Sequence, residues 1–471
     1  MTHSFDPTVL REYDIRGVIG KTLGPDDARA IGRGFATLLR RARQGTGRSK
    51  VAVGFDGRTS SPMLEAPLVE GLTASGVDVV RVGMGPTPML YYAEASAEDV
   101  HGGIQITGSH NPPDYNGFKM VFEGRPFFGA DILRLGALAV AGDWLEGSGT
   151  VEVRDVMQAY IDRMLQALQG IDLAKLSGLR IGWDAGNGAA GPALERLVAL
   201  LPGEHFCLYT EVDGHFPNHH PDPTDEANLA DLKKLVADKN LDFGVAFDGD
   251  GDRIGAIDGR GRVIWGDQLL MIYAEDLLVK LPNATIIADV KASRALFDRV
   301  AELGGKPLMW KTGHSLIKSK MKETRAPLAG EMSGHVFFAD DYYGYDDALY
   351  AAVRLIAASA RMGRSVTELR GAMPAMVNTP ELRFQVDESR KFAAIDEVKQ
   401  RLSGSHAEVN DTDGVRVTTQ DGWWLLRASN TQDVLVARAE SDSQAGLDRL
   451  LAQIDEQLAL SGLERGAQAG H

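Results

Sequence analysis

Three times along this chain the hydrophobic pattern runs strand, helix, strand, helix, strand, and each time the last strand opens into a polar, glycine-rich loop. In the first unit a β-branched run at 50–54 is followed by a helical stretch over 62–74, with Leu64, Leu68 and Leu72 on one face. A strand at 77–82, a helix from near Pro88 and a strand at 103–106 complete it, and the chain enters Thr107-Gly108-Ser109-His110-Asn111-Pro112. The second unit has strands at 180–183, 206–209 and 243–247 and helices over 192–201 and 229–236, and it ends on Asp248-Gly249-Asp250-Gly251-Asp252-Arg253. The third has strands at 285–288, 307–310 and 327–329 and helices over 294–303 and 315–322, and it ends on Gly330-Glu331-Met332-Ser333-Gly334-His335. Alternating strands and helices imply parallel strands joined by crossovers. In such sheets ligands bind beyond the carboxyl ends of the strands. Three distinct loops delivered to that same place predict an α/β protein. Its three similar βαβαβ domains, with mixed or parallel sheets, face one central cleft.

The C-terminal part breaks the pattern. An alternating run at 382–386 and a helix over 391–402 precede two strands, 415–417 and 423–426, that flank the turn Gln420-Asp421-Gly422. A strand at 434–437 and a closing helix over 447–460 complete an α+β domain on an antiparallel sheet. The expected domains are therefore 1–152, 153–260, 261–372 and 373–471, a division suited to a chain of 471 residues, too long for one core.

A net charge of −15 argues against nucleic acid or an anionic membrane as partner, so an anionic ligand has to be held by local Arg and Lys. Cys207 is the one cysteine, which rules out an intrachain disulfide and suits a reducing cytosol. The first residues lack the basic and apolar regions of a signal peptide, and no apolar stretch approaches the ~20 residues a membrane span needs. The expected location is cytoplasmic. The oligomeric state stays open, with a monomer as the default.

Asp248, Asp250 and Asp252 alternate with single glycines, which turns all three carboxylates to one side of an extended loop. Carboxylates so close repel unless a cation lies among them, and hard oxygen ligands favour Mg²⁺ or Ca²⁺ over a solvated acidic turn. An EF-hand is excluded, because Arg253 stands where that loop needs Gly and Gly259 where it needs Glu. Three carboxylates leave an octahedral ion short of ligands. Ser109, if it carries a phosphoryl group of charge about −1.5 to −2, offers another. Lys119 and Arg253, with Arg16 as a third, are placed to balance the charge. Glu331, Ser333 and His335 alternate similarly and suit the hydroxyls of a sugar, with His335 able to move a proton. Lys291 and His314 follow the first and second strands of the same unit and belong on the cleft side. Arg427, Ala428, Ser429, Asn430 and Thr431 form a turn in which a guanidinium, hydroxyls and backbone N–H groups can hold a phosphate; a polar hairpin loop is the alternative.

Other features are silent. Thr107 breaks a G-x-S-x-G frame, no P-loop motif occurs, and the prolines around His215, His219 and His220 argue against zinc. From composition alone the segment from Glu12 to Gly17 reads as a solvated turn.

Taken together, the four loops resemble the α-D-phosphohexomutase family over roughly residues 8 to 460. Residues 107–112 resemble its phosphoserine loop, 248–253 its magnesium loop, 330–335 its sugar-specificity loop and 427–431 its phosphate-binding loop. Glu331-Met332-Ser333-Gly334-His335, with Tyr13-Asp14-Ile15-Arg16-Gly17, resembles the bacterial phosphomannomutase/phosphoglucomutase branch. The resemblance implies a phosphohexose mutase acting through phosphorylated Ser109, a Mg²⁺ ion and a glucose or mannose 1,6-bisphosphate intermediate and activator. Lys119, Arg253 and His335 would serve catalysis. Tyr13, Arg16, Lys291, His314 and residues 331–335 and 427–431 would bind the phosphosugar. Phosphoglucosamine mutase and a non-catalytic phosphosugar-binding protein are the alternatives. Thr224-Asp225-Glu226-Ala227 departs from the family's pattern at a loop, and Gln432-Asp433 at the phosphate turn.

Overall fold

The computed structural model describes residues 2–44, 47–403, 408–429 and 433–466. Among these described residues there are four sheets, three of them mixed and the fourth antiparallel. The central order of the first is Tyr115–Phe122, Gly102–Ile106, Lys50–Phe55, Asp78–Met84. The second repeats it as Ile254–Asp258, Phe243–Phe247, Arg180–Asp184, Glu204–Leu208. The third repeats it as Val336–Phe338, Leu328–Gly330, Thr285–Asp289, Lys306–Trp310. Central strands such as Phe243–Phe247 are buried along their whole length, which is why they read as unbroken apolar runs.

The expected mixed or parallel sheets are mixed, and one other expectation changes. The pairing is not purely parallel, because each loop-bearing strand doubles back as an antiparallel neighbour: 102–106 with 115–122, 243–247 with 254–258, and 328–330 with 336–338. The three site loops are thus tight returns between antiparallel strands rather than strand-to-helix turns. Functional side chains such as Asn116 and Lys119 interrupt the first return strand, and the third is only three residues long, so neither shows a clear period. The segment expected to be a solvated turn is instead buried at Asp14 and Ile15, and Ile15–Val18 pairs antiparallel with 115–122. That pairing spans a hundred residues of sequence, which local composition cannot register.

One hydrophobic core runs unbroken through the first three domains. Val80, Leu90, Trp183, Phe247, Leu270 and Ile356 all belong to it, and the buried helix Ala348–Met362 lies within it. This shared core fixes the three loops relative to one another. The fourth domain has its own core, around Phe384, Ile395, Trp424, Leu447 and Ile454. It also grips the third domain by the main chain. Arg416 Nη1 donates to the carbonyls of Val290 (2.6 Å) and Ala292 (2.8 Å), and Arg438 Nη1 to that of Lys291 (2.5 Å). Among the described residues no helix is long and apolar enough to cross a membrane.

Candidate active site

The strand Gly102–Ile106 delivers Ser109 in a left-handed conformation (φ 51°), a strained backbone for a non-glycine residue of the kind that persists at functional sites. What holds it is Arg58, fully buried beneath the loop. Its guanidinium donates to the carbonyls of Ser109 (2.9 Å), Asn111 (2.5 Å), Pro112 (2.6 Å) and Tyr115 (3.0 Å). Asp56 accepts from the Gly108 N–H at 3.1 Å. Gly108 is required here, since a Cβ would lie 2.4 Å from Arg58 Nε.

The loop 248–253 meets this one back to back. A Cβ on Gly249 would stand 2.4 Å from the Ser109 carbonyl, so only glycine permits the approach. Ser109 Oγ donates to Asp248 Oδ2 at 3.0 Å and lies 3.2 Å from His110 Nδ1. Asp248, Asp250 and Asp252 are wholly buried, and their ligand atoms lie within 4.8 Å of one another, as the alternation predicted. The charge balance is partly internal. Lys119 Nζ donates to Asp250 Oδ2 (2.8 Å) and to Asp252 Oδ2, because the return strand pairs Lys119 with Gln105 and aims it at the acidic loop. Thr107 Oγ1 also donates to Asp250 Oδ2, at 3.1 Å, as does Thr87 Oγ1.

The electrostatics follow. Burial and the neighbouring Asp250 and Asp252 push the Asp248 carboxyl well above its usual range, and burial with Asp250 raises Asp252. Asp250 is lowered, because Lys119 and the two threonines outweigh its burial. Burial alone would lower Lys119, but the aspartates overcome it and hold the ammonium charged. Burial, then the charge of Arg253, keep His110 far below the usual imidazole range. Asp250 Oδ1 and Asp252 Oδ1 are buried without a hydrogen-bond partner. Hard, orphaned oxygens in so tight a cluster fit a small divalent cation.

Arg253 sits between two histidines, with Nε 3.0 Å from His335 Nε2 and Nη1 3.4 Å from His110 Nε2. Beyond them His335 Nδ1 lies 3.0 Å from Asp346 Oδ2, off the angle of a good hydrogen bond. Asp346 also pairs with Lys318 (2.9 Å) and lies 3.8 Å from His314 Nδ1. The cleft thus gathers Ser109, Lys119, the three aspartates, Arg253, His314 and His335. Arg16 joins them, bonding Asn111 Oδ1 at 2.9 Å and Asp14 at 2.5 Å. Around the rim Tyr13 Oη donates to the Thr312 carbonyl (3.0 Å), and Asp413 accepts from the Thr312 N–H (3.0 Å) and from Arg427 Nε (3.0 Å).

Several expected ligand contacts are engaged inside the protein. Glu331 Oε1 accepts from the Gly313 N–H at 2.7 Å, the Met332 N–H donates to Asp289 Oδ1 at 3.2 Å, and Lys291 bonds Glu381 at 2.5 Å. Ser333 is half-buried, and Gly334 turns with φ 90°. Ala428 and Ser429 are buried at the end of the strand Gly422–Ala428, whereas Asn430 and Thr431 lie outside the described residues. Sequence reading missed Arg58, Thr87, Lys318 and Asp346 altogether, and it named His110 without a role.

A buried serine hydroxyl set among carboxylates and fixed cations, where three α/β domains converge, defines a group-transfer enzyme. Comparison with known proteins is specific. Family models described as "Phosphoglucomutase/phosphomannomutase, alpha/beta/alpha" domains I, II and III match residues 7–135, 158–261 and 265–376, and the model of the C-terminal domain matches 381–457. A Pseudomonas aeruginosa protein named phosphomannomutase/phosphoglucomutase is 44% identical over 453 residues, covering 96% of this chain and 95% of that one. A Neisseria gonorrhoeae phosphoglucomutase is 42% identical, covering 94% and 95%. The crystal structure of a phosphoglucomutase/phosphomannomutase family protein from Burkholderia thailandensis matches with a TM-score of 0.90 at 45% identity, covering 97% and 98%. The chain belongs to the phosphoglucomutase/phosphomannomutase family.

Proposed function

We propose that this protein is a phosphohexose mutase that interconverts the 1-phosphates and 6-phosphates of glucose and mannose. The observation that carries the reading is Ser109 Oγ, held 3.0 Å from Asp248 Oδ2 beside the buried Lys119 and the Arg253 guanidinium. The names of the Pseudomonas and Neisseria relatives support it. Ser109 carries the phosphoryl group and passes it to the free hydroxyl of a bound hexose monophosphate. The resulting 1,6-bisphosphate turns over and returns its other phosphate to Ser109. Asp248, Asp250 and Asp252, with the phosphorylated Ser109, would hold Mg²⁺. An ion there would supply positive charge to the transferring group. Lys119 and Arg253 supply fixed positive charge at the same point and need no reorganisation. Residues 331–335, with His314, Lys291, Tyr13 and Arg16, bind the sugar. Residues 427–431, led by Arg427, hold whichever phosphate is not being transferred, so the site accepts either end. Free hexose 1,6-bisphosphate is the activator that restores a dephosphorylated Ser109.

The same reading takes the protein as cytoplasmic, without nucleic-acid or membrane partners, and leaves its oligomeric state open with a monomer as the default. It divides the chain at residues 152, 260 and 372, each piece carrying one sheet to within a few residues.

The test combines intact mass with turnover. Fresh protein should carry a phosphate on Ser109. Ser109→Ala should lose about 10⁴-fold or more in turnover while melting like the parent. Glucose 1-phosphate and mannose 1-phosphate should both be substrates; a strong preference for glucosamine 1-phosphate would replace the reading by its nearest alternative. No isomerisation with Mg²⁺ and bisphosphate present would leave a phosphosugar-binding protein.

A further inference from the structure

We infer that Arg253 fixes His110 and His335 in one tautomer, each with its ring proton on Nδ1, and that His110 thereby donates a hydrogen bond to the Ser109 oxygen that carries the phosphoryl group. The donor role rests on the mutase reading; the tautomer rests on geometry alone.

A guanidinium offers donors and no acceptor. Arg253 Nε points at His335 Nε2 from 3.0 Å, and Arg253 Nη1 at His110 Nε2 from 3.4 Å. Both ring nitrogens therefore accept, and neither bears a hydrogen. In a neutral imidazole the one remaining proton is then on Nδ1. For His110 that nitrogen lies 3.2 Å from Ser109 Oγ. The hydroxyl meanwhile donates to Asp248 Oδ2 at 3.0 Å, so its oxygen receives one hydrogen bond and gives another. For His335 the Nδ1 atom lies 3.0 Å from Asp346 Oδ2 and 3.6 Å from Asp252 Oδ1. Arg253 is itself located by its N–H, which donates to Asp248 Oδ1 at 3.1 Å, and by the backbone bridge between Arg253 and His335. One side chain thus sets the proton positions on two rings that come from different domains.

The consequence lies in the transfer step. The P–Oγ bond of phosphorylated Ser109 breaks with its electron pair staying on Oγ, and a new P–O bond forms to the hexose hydroxyl. The proton released by that hydroxyl balances the one Oγ finally takes, so the step needs no net acid or base, whichever side chains relay it. While charge gathers on Oγ, the His110 Nδ1–H is already in place as a donor, and a preset donor is worth most at that moment. The opposite tautomer would turn a lone pair toward the same oxygen and oppose the charge.

Two measurements on the full-length protein test this. With ¹⁵N-labelled histidine rings, the His110 and His335 signals should show a protonated Nδ1 and an unprotonated Nε2. In single-turnover transfer from the phosphoenzyme, His110→Asn, whose amide nitrogen falls near the Nδ1 position, should stay within about threefold of the parent, whereas His110→Gln and His110→Ala should lose about 10²-fold with KM little changed. A Gln variant as active as the Asn variant overturns the inference. A protein that turns over normally with its ring protons on Nε2 also overturns it and leaves the mutase reading intact. Rings protonated on Nδ1 in a protein without any mutase turnover overturn the functional reading and the donor role with it.

Discussion

Asp346 and Asp347 are consecutive and both fully buried, yet they face opposite worlds. Asp346 looks into the cleft, toward Lys318, His314 and His335. Lys318 and the two histidines hold its carboxyl well below the usual range despite burial. Asp347 looks the other way, into a tyrosine-lined junction of the second and third domains. There it accepts from Tyr160 Oη (3.0 Å) and Tyr342 Oη (2.9 Å), and from the Tyr350 N–H (2.9 Å) at the start of the helix Ala348–Met362. Burial with no cationic partner among these contacts pushes its carboxyl up to about 7. The tyrosine junction is satisfied, whereas the cleft is not. Asp250 Oδ1, Asp252 Oδ1, His314 Nδ1, His335 Nδ1 and Asp346 Oδ2 are all buried without a hydrogen-bond partner. Buried groups left this way cost free energy in the resting protein, and they persist where something outside the chain is to complete them.

The contrast can be broken or sharpened by substitution. Asp252→Asn should lower turnover by about 10²- to 10³-fold and yet raise the melting temperature of chelator-treated protein, since it removes one of three crowded charges. A marked fall in that melting temperature would show the acidic loop to be as structural as the tyrosine junction. Asp347→Ala should do the reverse. It strands two tyrosine hydroxyls and a helix cap, for a loss of about 3 kcal/mol in urea unfolding, with turnover per folded molecule unchanged. A variant as stable as the parent would remove the distinction. The smallest effect concerns pH. Asp347 holds its proton in the folded state up to about pH 7, whereas an unfolded Asp releases it near pH ~4. Between those values the folded state binds more protons, so this residue's contribution to stability declines as pH rises and levels off above the upper one. Asp347→Asn should accordingly gain on the parent between pH 5 and pH 8, measured by urea midpoints at each; a constant difference would mean that Asp347 is ionised throughout.

The same contrast explains what could be read in advance. Asp248, Asp250 and Asp252 announce themselves because three chemically identical groups alternate within five residues, and Ser109 because its loop interrupts a strand. The repeated order of strands and helices, with its convergence of loops, was likewise written in local periodicity. Arg58 was invisible, since Asp56-Gly57-Arg58 reads as an ordinary turn and the carbonyls it binds lie more than fifty residues away. Lys119 was picked out by proximity to Ser109, but its placement on Asp250 depends on the antiparallel return strand, which its own polar residues obscure. Asp346 and Asp347 form an acidic pair ahead of a helix, and nothing local says that their side chains part company.

The grip of Arg416 and Arg438 on the carbonyls of Val290, Lys291 and Ala292 has an evolutionary corollary. Recognition by these two arginines reads the backbone of 290–292. The side chains of the same stretch add to the docking, since Val290 packs against Trp423 and Leu425 and Lys291 bonds Glu381 at 2.5 Å. Drift through 290–292 is therefore held back twice, by the course of the loop and by the side chains it carries, and descendants inherit the way the molecule assembles.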